Sequence, residues 1–452
     1  MNRQYVRAVL AVAVLVVSAG ISTAQQAGFS TGQYNPIAFK EYDLPNGLHV
    51  ILHEDHSAPV AATVVHYKVG SRDEDPTRSG FAHFFEHLMF ESTDVIERGQ
   101  IDKMINGSGG QLNAFTSQDE TVYHFVVPSN QIRLALWVEA QRMRKLHIDQ
   151  IGVETQRGVV KEERKNRYDN ASYSGWLDKT FASLYEGTPY QWSTIGSAQH
   201  IDSAAIVEFQ QFYDMYYQPN NAVLVVSGDF DEEIVRATIK EYFGGYPKGP
   251  EPRRPTFTGL KTLTADIRQS YDDPRAQLPA VFIGYRSMGQ LDPDAYATEL
   301  LDNILATGES SRMYRASVDS EQVAVQIQTS TFFNEHAGIF LLIGIASPGK
   351  DISAVEKSID AQLARLTSGG ITDAELQKAK NIKEAQFIGS RVGAYDKALA
   401  LSNYYRFYGN TALINEELEK YMKVTTADIN RVAKRIFEGK NRVVLTFNPV
   451  KG

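Results

Sequence analysis

The residues of this chain that are best suited to chemistry form a short motif, H-x-x-E-H, at positions 83–87. In an α-helix, side chains three and four positions apart lie on the same face, so His83, Glu86 and His87 would point the same way. Two neutral imidazoles can bind Zn²⁺, and a carboxylate beside them can take a proton from water at the open coordination position. The spacing therefore indicates one zinc ion with Glu86 as the general base.

The alternative interpretation of this motif is an amphipathic helix that binds no metal. Residues 81–90 contain aromatic and aliphatic side chains that would pack inward, and the histidines and the glutamate would then be ordinary polar surface. The apolar side chains alone suffice to anchor such a helix, however, and the three metal-competent groups all share its other face. We therefore favour the zinc site.

A catalytic zinc site needs a third protein ligand, and no further histidine follows the motif at a useful spacing. We expect a carboxylate instead. Glu162 and Glu163 lie on a predicted helix, and Glu163 follows His87 by 76 residues (163 − 87). A long helix would hold one carboxylate rigidly, although a solvent-exposed helical face is the alternative interpretation of the same pair.

The elements predicted around the motif show how these groups would be positioned. Two apolar runs, 48–52 and 60–69, are separated by a short turn-rich segment and are predicted to be paired strands. The motif helix follows a charged loop, with Thr77 or Ser79 available as its N-cap. Further along the chain we predict a second strand pair, 109–116 with 121–127, and two helices, 132–146 and 155–167.

The chain divides into two similar halves. Its 452 residues exceed what a single hydrophobic core usually serves, and the proline-rich run 246–255 marks an extended linker near the middle. Residues 221–226 resemble residues 441–446, and each of these segments comes near the end of its half. The two halves therefore look like copies of one α+β unit.

The helix that carries the zinc motif also has a counterpart in the second half. Residues 79–90 align with residues 294–305, and a chance match between two α/β segments is the alternative explanation. The metal-binding positions of the first copy correspond in the second to Thr298, Leu301 and Asp302. On this alignment the second half keeps the helix without the ligands, so it would shape a chamber around the zinc site of the first half.

We therefore predict an α+β fold of two homologous α/β lobes, each a mostly antiparallel sheet flanked by helices, joined by a proline-rich linker. The predicted limits are a signal peptide at 1–24, an N-terminal lobe with the zinc site at 25–245, the linker at 246–258, and a chamber-forming C-terminal lobe without a zinc site at 259–452.

The first 24 residues have the pattern of a secretory signal peptide. Arg3 and Arg7 lie in the basic start, an apolar run follows at about 8–19, and small residues stand at positions 22–24. A membrane anchor is the alternative, but the run is short for a span and no charged flank follows it. The chain contains no cysteine, which excludes disulfides and lipid attachment. We expect a periplasmic protein with no membrane anchor after signal cleavage, and secretion from the cell is the alternative.

The charge of the chain argues against binding to nucleic acid. Its formal net charge is −8, and acidic and basic residues are mixed along the sequence, so there is no basic stripe that could follow a phosphate backbone.

The motifs described above resemble those of the pitrilysin and insulysin superfamily of zinc peptidases, the inverzincins. The H-x-x-E-H motif is followed at the appropriate distance by R-G-V-V-K-E-E, residues 157–163. The resemblance implies that His83, His87 and Glu163 bind one zinc ion and that Glu86 is the general base. It also implies a hydrolase that cleaves unstructured peptides.

The resemblance extends to substrate binding and assembly. The run G-G-Q-L-N-A-F-T is similar to a family motif, which implies that Asn113 and Ala114 lie on an edge strand that pairs with extended substrate. The two-lobe layout resembles the mitochondrial processing peptidase branch and its bacterial periplasmic relatives, whose subunits pair around a closed chamber. One difference concerns Gln156, where relatives often have a glutamate that supports the distal ligand. We expect metal binding to survive, because an amide can still form hydrogen bonds.

A second difference concerns the groups that hold the substrate and the developing oxyanion. Many relatives have an Arg and a Tyr where this chain has Val318 and Val325. We predict that a homologous subunit supplies them in a heterodimer, with a homodimer as an alternative, because loss of such donors costs on the order of a hundredfold in rate. Two further alternatives remain: Arg312, Tyr314 or another residue of this chain does the same work, or the protein is a non-catalytic peptide-binding or assembly subunit.

Overall fold

The first half of the chain is built on a mixed β-sheet in the computed structural model, which describes residues 35–258 and 260–450. Its strands are β1 Lys40–Asp43, β2 His49–Glu54, β3 Val60–Tyr67, β4 Ser92–Thr93, β5 Gln111–Thr116, β6 Thr121–Pro128, β7 Leu146–His147 and β8 Ala222–Gly228. Within the described residues, the main sheet has the order β1-β2-β8-β3-β6-β5, and β4 and β7 form a small separate pair.

Strand β8 is an interior strand of this sheet, and all of its residues, AVLVVSG, are buried. A strand that is buried on both faces needs partners along both edges. It pairs in parallel with β2 and antiparallel with β3. The predicted pairing of 48–52 with 60–69 is therefore wrong, since the two strands in these segments are separated by β8. Their short connection suggested a hairpin, but the more apolar β8 takes the place between them.

The helices of the first half are α1 Phe81–Leu88, α2 Gln100–Gly107, α3 Ile132–Lys145, α4 Gln150–Arg164, α5 Trp176–Leu184, α6 Ala198–Ser203, α7 Ile206–Tyr216 and α8 Glu232–Phe243. The predicted helix 132–146 is confirmed as α3, and α4 begins earlier than the predicted helix 155–167. A π-helical turn, Lys165–Asp169, continues α4. The predicted strand pair around 109–127 is confirmed, since β5 and β6 pair antiparallel.

The second half repeats this sheet. Its strands are β9 Ile267–Asp273, β10 Ala280–Ser287, β11 Ala324–Phe333, β12 Gly338–Ala346 and β13 Arg442–Pro449, in the order β11-β12-β10-β13-β9. Strand β13 lies between parallel β9 and antiparallel β10, as β8 lies between parallel β2 and antiparallel β3. The predicted fold class of two homologous, mostly antiparallel α+β units is confirmed.

The helices of the second half are α9 Ala295–Ala306, α10 Ile352–Gly369, α11 Asp373–Gly389, α12 Ala394–Tyr408, α13 Glu417–Lys423 and α14 Thr426–Phe437. Helix α11 packs on α9 as α4 packs on α1. Since α9 carries Thr298, Leu301 and Asp302, the second copy of the motif helix exists with a different set of side chains.

Each half also contributes one helix to the sheet of the other half. Helix α5 of the first half packs on β10 and β13, where Phe181 and Leu184 join a cluster with Phe282 and Val443. Helix α12 of the second half packs on β3 and β8. Residues from Ile37 onward accordingly form one compact unit.

Two sequence predictions concern membranes and export. Among residues 35–258 and 260–450, no helix is both long and apolar enough to cross a bilayer. The predicted signal peptide, residues 1–24, lies outside the described residues. Residues 246–258, predicted as the linker, contain neither helix nor strand.

Candidate metal centre

Helix α1 is held by its aromatic face, which packs into the core of the first half. Phe81, Phe84 and Phe85 are almost completely buried. The ring centroids of Phe81 and Phe84 each lie 4.7 Å from that of Phe209, and the Phe85 ring lies 4.5 Å from that of Tyr217. This packing leaves the other face of the helix to the histidines and the glutamate of the motif.

The N-terminus of α1 is capped by an acidic side chain from the preceding loop. The carboxylate of Glu74 accepts hydrogen bonds from the N–H groups of Gly80 at 2.9 Å and Ala82 at 2.8 Å. Burial raises the pKa of Glu74 well above its ordinary range. The predicted capping by Thr77 or Ser79 is wrong. Gly80 turns the chain into the helix with φ of 95°, and the longer Glu74 side chain reaches across this turn.

Two helices bring together three side chains that could bind a metal ion. Glu163 on α4 has its Oε2 atom 3.6 Å from Nε2 of His83 and 3.2 Å from Nε2 of His87. The three candidate ligand atoms all lie within 4.8 Å of one another. In the part of the chain that the structure describes, this is the one group of three or more His, Asp or Glu side chains arranged to hold a metal ion.

The donor set and its spacing fit Zn²⁺. Donors about 2.0–2.1 Å from a tetrahedral zinc ion lie roughly 3.3 Å apart, close to the two distances measured from Glu163. Burial, and then the neighbouring His87, lowers the pKa of His83 to about 4, so this imidazole is neutral at neutral pH, as a zinc ligand must be. Three protein ligands leave one tetrahedral position open, as in catalytic zinc sites.

Glu86 lies beside the three candidate ligands, on the same helix as the histidines. Its Oε2 atom accepts a hydrogen bond of 2.6 Å from the hydroxyl of Thr116 on β5. Burial raises the pKa of Glu86 above its ordinary value, although the Thr116 hydrogen bond opposes this shift. A carboxylate with a raised pKa is a better proton acceptor, so Glu86 could act as a base beside three groups that could hold a metal ion.

Helix α4 sets the position of the third candidate ligand. Asp149 caps its N-terminus by accepting a 2.7 Å hydrogen bond from the N–H of Gly152. Of the acidic pair, only Glu163 faces the histidines. The side chain of Glu162 is 62% exposed and lies 3.8 Å from Lys165.

Gln156 lies on α4, two turns before Glu163, and does not touch the three candidate ligands. Its amide donates a 2.6 Å hydrogen bond to the buried carboxylate of Glu91, which follows α1. Arg98 pairs with Glu91 and, at 2.9 Å, with Asp149. Gln156 therefore joins the end of the histidine helix to the helix that carries Glu163.

Asn113 and Ala114 lie on β5, at the edge of the first sheet. The N–H of Ser117 bonds to the carbonyl of Glu120 at 2.9 Å. Because backbone groups alternate in direction along an antiparallel pair, the N–H and C=O groups of Asn113 point toward β6, while those of Ala114 and Thr116 point toward the open edge. The outward N–H of Ala114 is bonded to Oδ1 of Asn113 at 2.9 Å. Strand β5 has no neighbouring strand on this side within the described residues, and the Asn113 side chain satisfies one of its outward N–H groups.

The two valines of the second half lie in different environments. Val318 packs against the second hydrophobic core, and Val325 on edge strand β11 is 48% exposed. Arg312 is already paired, because its Nε and Nη2 atoms lie 2.5 and 2.8 Å from the carboxylate oxygens of Glu375. Tyr314 packs against the same core as Val318.

Three residues near the site had no role in the sequence prediction. Thr116 lies within the run G-G-Q-L-N-A-F-T, where strand alternation places it toward α1. Glu74 lies in the loop seven residues (81 − 74) before α1 begins, so its spacing in the sequence gives no signal that it caps this helix. Arg167, whose Nη1 lies 3.0 Å from Oε1 of Glu163, follows that residue by one helical turn, so i,i+4 spacing is the signal that would have revealed it.

Comparisons with known proteins agree with this site. Residues 49–197 match the model of the family described as Insulinase (Peptidase family M16), and residues 207–383 match the model described as Peptidase M16 inactive domain. The first matched segment lies within the half that holds the candidate ligands, and the second begins in α7 of that half and ends in α11 of the second half.

Relatives extend the match over most of the chain. The zinc protease PqqE of Helicobacter pylori is 29% identical over 408 residues, which cover 90% of this chain and 92% of the relative. A crystal structure of a protease from the same organism has a TM-score of 0.86 at 28% identity and covers 92% of this chain and all of that one. The periplasmic protease PqqL of Escherichia coli shares the fold, with a TM-score of 0.74 at 17% identity over 91% of this chain and 48% of PqqL. The chain belongs to peptidase family M16, the insulinase and pitrilysin family of zinc proteases.

Proposed function

We propose that this protein is a zinc-dependent endopeptidase that hydrolyses unstructured peptides. One observation carries the proposal: Oε2 of Glu163 lies 3.2 and 3.6 Å from the Nε2 atoms of two histidines, with the carboxylate of Glu86 beside them. In this proposal His83, His87 and Glu163 are the ligands, and Glu86 is the general base. The names of relatives as zinc proteases support the same chemistry.

Different residues of the chain have different roles in the proposed hydrolysis. The chemistry that bound Zn²⁺ would supply is polarisation of the scissile carbonyl and a lower pKa for the attacking water. Glu86 takes the proton from that water and passes it to the leaving amine, so no covalent intermediate with the protein is needed. Thr116 holds the Glu86 carboxylate in one orientation through its 2.6 Å hydrogen bond.

The open edge of β5 is the proposed substrate-binding strand. An extended peptide would add to the sheet beside Asn113 and Ala114 through backbone hydrogen bonds, which give affinity without a strong demand on sequence. Because Thr116 is on the same strand and bonds to Glu86, a peptide seated on β5 would run past the base. Folded proteins cannot offer such a strand, and this favours unstructured substrates.

We propose further that the active enzyme contains a homologous subunit, which completes a closed chamber and contributes an Arg and a Tyr. Val318 and Val325 offer no donor for an oxyanion. Arg312 is engaged by Glu375, which argues against its use at the zinc site. A heterodimer is the arrangement that this combination favours, and a homodimer would leave the donors missing.

The proposed location is the periplasm. The signal-peptide pattern of residues 1–24 supports export. The fold is shared with PqqL of Escherichia coli, which is described as a periplasmic protease.

The test is cleavage of a quenched fluorescent peptide library by the purified protein, alone and mixed with a homologous subunit from the same organism. Each sample is measured before chelation, after chelation and after zinc is restored. Chelator-sensitive cleavage that needs the mixture would support the two-subunit peptidase, and equal cleavage by the single chain would overturn the need for a partner.

The competing function is a peptide-binding or assembly subunit without turnover, and the two valines are the observation that favours it. It predicts that peptides bind but remain intact in every sample, including the mixture with zinc. That result would overturn the peptidase proposal while leaving the metal site and the edge strand in place.

A further inference from the structure

The two oxygens of the Glu163 carboxylate have different partners. Oε2 faces both imidazoles, at 3.2 and 3.6 Å, whereas Oε1 lies 3.0 Å from Nη1 of Arg167. The guanidinium therefore contacts the oxygen that points away from the histidines. The carboxylate thus has one oxygen toward the arginine and the other toward the two histidines.

Arg167 occupies a special segment of the backbone. It lies in the π-helical turn Lys165–Asp169, in which the N–H of Asn170 bonds to the carbonyl of Lys165 at 2.8 Å. π-Helical turns interrupt the regular geometry of an α-helix and are frequent at functional sites. The glutamate precedes the arginine by four residues, which is the favourable order for an ion pair along a helix.

Fold stability does not explain this pair. The side chain of Arg167 is 69% exposed, and solvent-exposed ion pairs contribute little to stability. The positive charge of Arg167 nevertheless acts to lower the pKa values of His83, Glu86 and Glu163. Arg167 therefore lies close to the candidate ligands and the candidate base, at a position where it adds little to the stability of the core.

We propose that Arg167 is a positioning residue that holds Glu163 as a one-oxygen ligand of zinc. This inference rests on the proposed function. By occupying Oε1, the guanidinium prevents the carboxylate from turning both oxygens toward the metal, which would fill the position that water needs. Groups that orient metal ligands in this way typically change metal affinity by about 10- to 100-fold when they are removed.

The experiment compares Arg167→Gln with Lys165→Gln, a matched control that removes a cation from the same turn. Lys165 is 57% exposed and lies 3.8 Å from Glu162, which is itself 62% exposed. Zinc affinity is measured on the full chain by competition with a chromogenic chelator, and the cobalt(II)-loaded protein is measured by visible absorption. Melting of the metal-free protein is recorded for every variant.

We expect Arg167→Gln to weaken zinc binding by about tenfold or more and to alter the cobalt spectrum, with an unchanged metal-free melting temperature. Arg167→Lys should restore part of the affinity, because it returns the charge without the fork of donors. Lys165→Gln should match the wild type. Equal zinc affinity and equal cobalt spectra in Arg167→Gln and the wild type would overturn the inference and leave the proposed function intact. A wild type that binds no zinc would overturn both.

Discussion

Thr116 and Glu86 are joined by a hydrogen bond of 2.6 Å from the threonine hydroxyl to the carboxylate. This bond connects the edge strand β5 to the motif helix α1. The strand proposed to bind substrate therefore also orients the proposed base, so a peptide added to β5 meets a carboxylate whose direction is set by that same strand.

Removal of this hydroxyl should reduce catalysis without releasing metal. We expect Thr116→Val to lower kcat about tenfold, an increase of ~1.4 kcal/mol in the activation barrier, with zinc content unchanged. The reason is that the carboxylate of Glu86 gains rotational freedom. Steady-state kinetics with a fluorogenic peptide and metal analysis check the prediction. Thr116→Ser, which keeps the hydroxyl, is the control, and a Thr116→Val enzyme with wild-type kcat would contradict it.

Replacement of Glu86 should separate catalysis from metal binding. We expect Glu86→Gln to keep zinc and to lose on the order of 10²–10⁴-fold in kcat, because the amide has the same shape and accepts no proton. Metal analysis and peptide cleavage are measured on the same preparation. A variant that cleaves as fast as the wild type would show that another group is the base.

The adjacent acids on α4 allow a controlled test of the third ligand. Glu163→Gln should lose most of its zinc, since it replaces a charged oxygen donor 3.2 Å from Nε2 of His87. Glu162→Gln should keep zinc and activity, because that side chain points to solvent. Dialysis against a weak chelator followed by metal analysis distinguishes them, and equal zinc loss in both variants would argue against the assignment.

Those parts of the fold that depend on local periodicity and on the internal repeat were predictable. Helix α3 and the β5–β6 pair follow from apolar spacing within single segments. The division into two similar halves follows from the similarity of residues 221–226 to residues 441–446. These segments form the equivalent strands β8 and β13. The i,i+4 spacing of His83 and His87 likewise placed both imidazoles together, because it depends only on helix geometry.

Features that depend on distant segments were not predictable. Strand β8 separates β2 from β3, and nothing in the short connection between those strands reveals this. Helix α5 packs on the sheet of the second half and helix α12 on the sheet of the first half, because their apolar faces fit those sheets. Glu74 caps α1 from an irregular loop, where its direction depends on the turn at Gly80. The roles of Asn113, Ala114 and Gln156 remain predictions.

Gln156 offers a test of support at a distance from the metal. Its 2.6 Å bond to the buried Glu91 joins α4 to the end of α1, and Gln156→Ala should cost about 1 kcal/mol of unfolding free energy. Zinc affinity should change by less than about threefold, because no ligand atom is touched. The control is Gln150→Ala, which removes an exposed bond to Glu154. Denaturant unfolding and chelator competition check both expectations.

A loss of zinc from Gln156→Ala as large as that of Glu163→Gln would contradict this expectation. It would mean that the contact between the two helices, rather than the ligand atoms alone, determines the geometry of the site.

His66 should make stability depend on pH below neutrality. The ring is fully buried, with Nε2 2.8 Å from Glu120 and Nδ1 3.1 Å from the hydroxyl of Ser402. Burial lowers the pKa of His66 below its ordinary value of 6.5, although Glu120 opposes the shift and the charge of Arg406 adds to it. As pH falls through about 6.5, the imidazole of His66 is therefore protonated in the unfolded chain before it is protonated in the folded protein. This difference favours the unfolded state and lowers the free energy of unfolding.

Between pH 7 and pH 5.5 we expect His66 to account for part of the loss in unfolding free energy. Urea unfolding at the two pH values measures it. His66→Gln, which keeps a neutral polar side chain, should reduce the loss. His147→Gln removes a histidine whose side chain is 62% exposed and should leave the loss unchanged. The same pH dependence in His66→Gln and the wild type would contradict the prediction.

Glu335 links the two halves at the turn between β11 and β12. Its Oε2 atom lies 2.8 Å from Nη2 of Arg72 and 3.2 Å from Nη1 of Arg406. The backbone N–H of Glu335 donates a hydrogen bond of 2.8 Å to Oδ2 of Asp119. Burial alone would raise the pKa of Glu335, but Arg72 and Arg406 outweigh it and hold the pKa below its ordinary value. The carboxylate is therefore charged and shared by two nearly buried cations.

Glu335→Ala should cost about 3 kcal/mol of unfolding free energy, because it leaves two buried guanidinium groups with less compensation. Glu419→Ala is the control, since Glu419 is 67% exposed and pairs with Lys423 at 2.7 Å, and it should cost less than about 0.5 kcal/mol. Denaturant midpoints of the two variants check the difference. Because Asp119 belongs to the turn between β5 and β6, Glu335→Ala should also raise KM for peptides. Equal stability of the two variants would mean that the buried cluster contributes no more than an exposed ion pair.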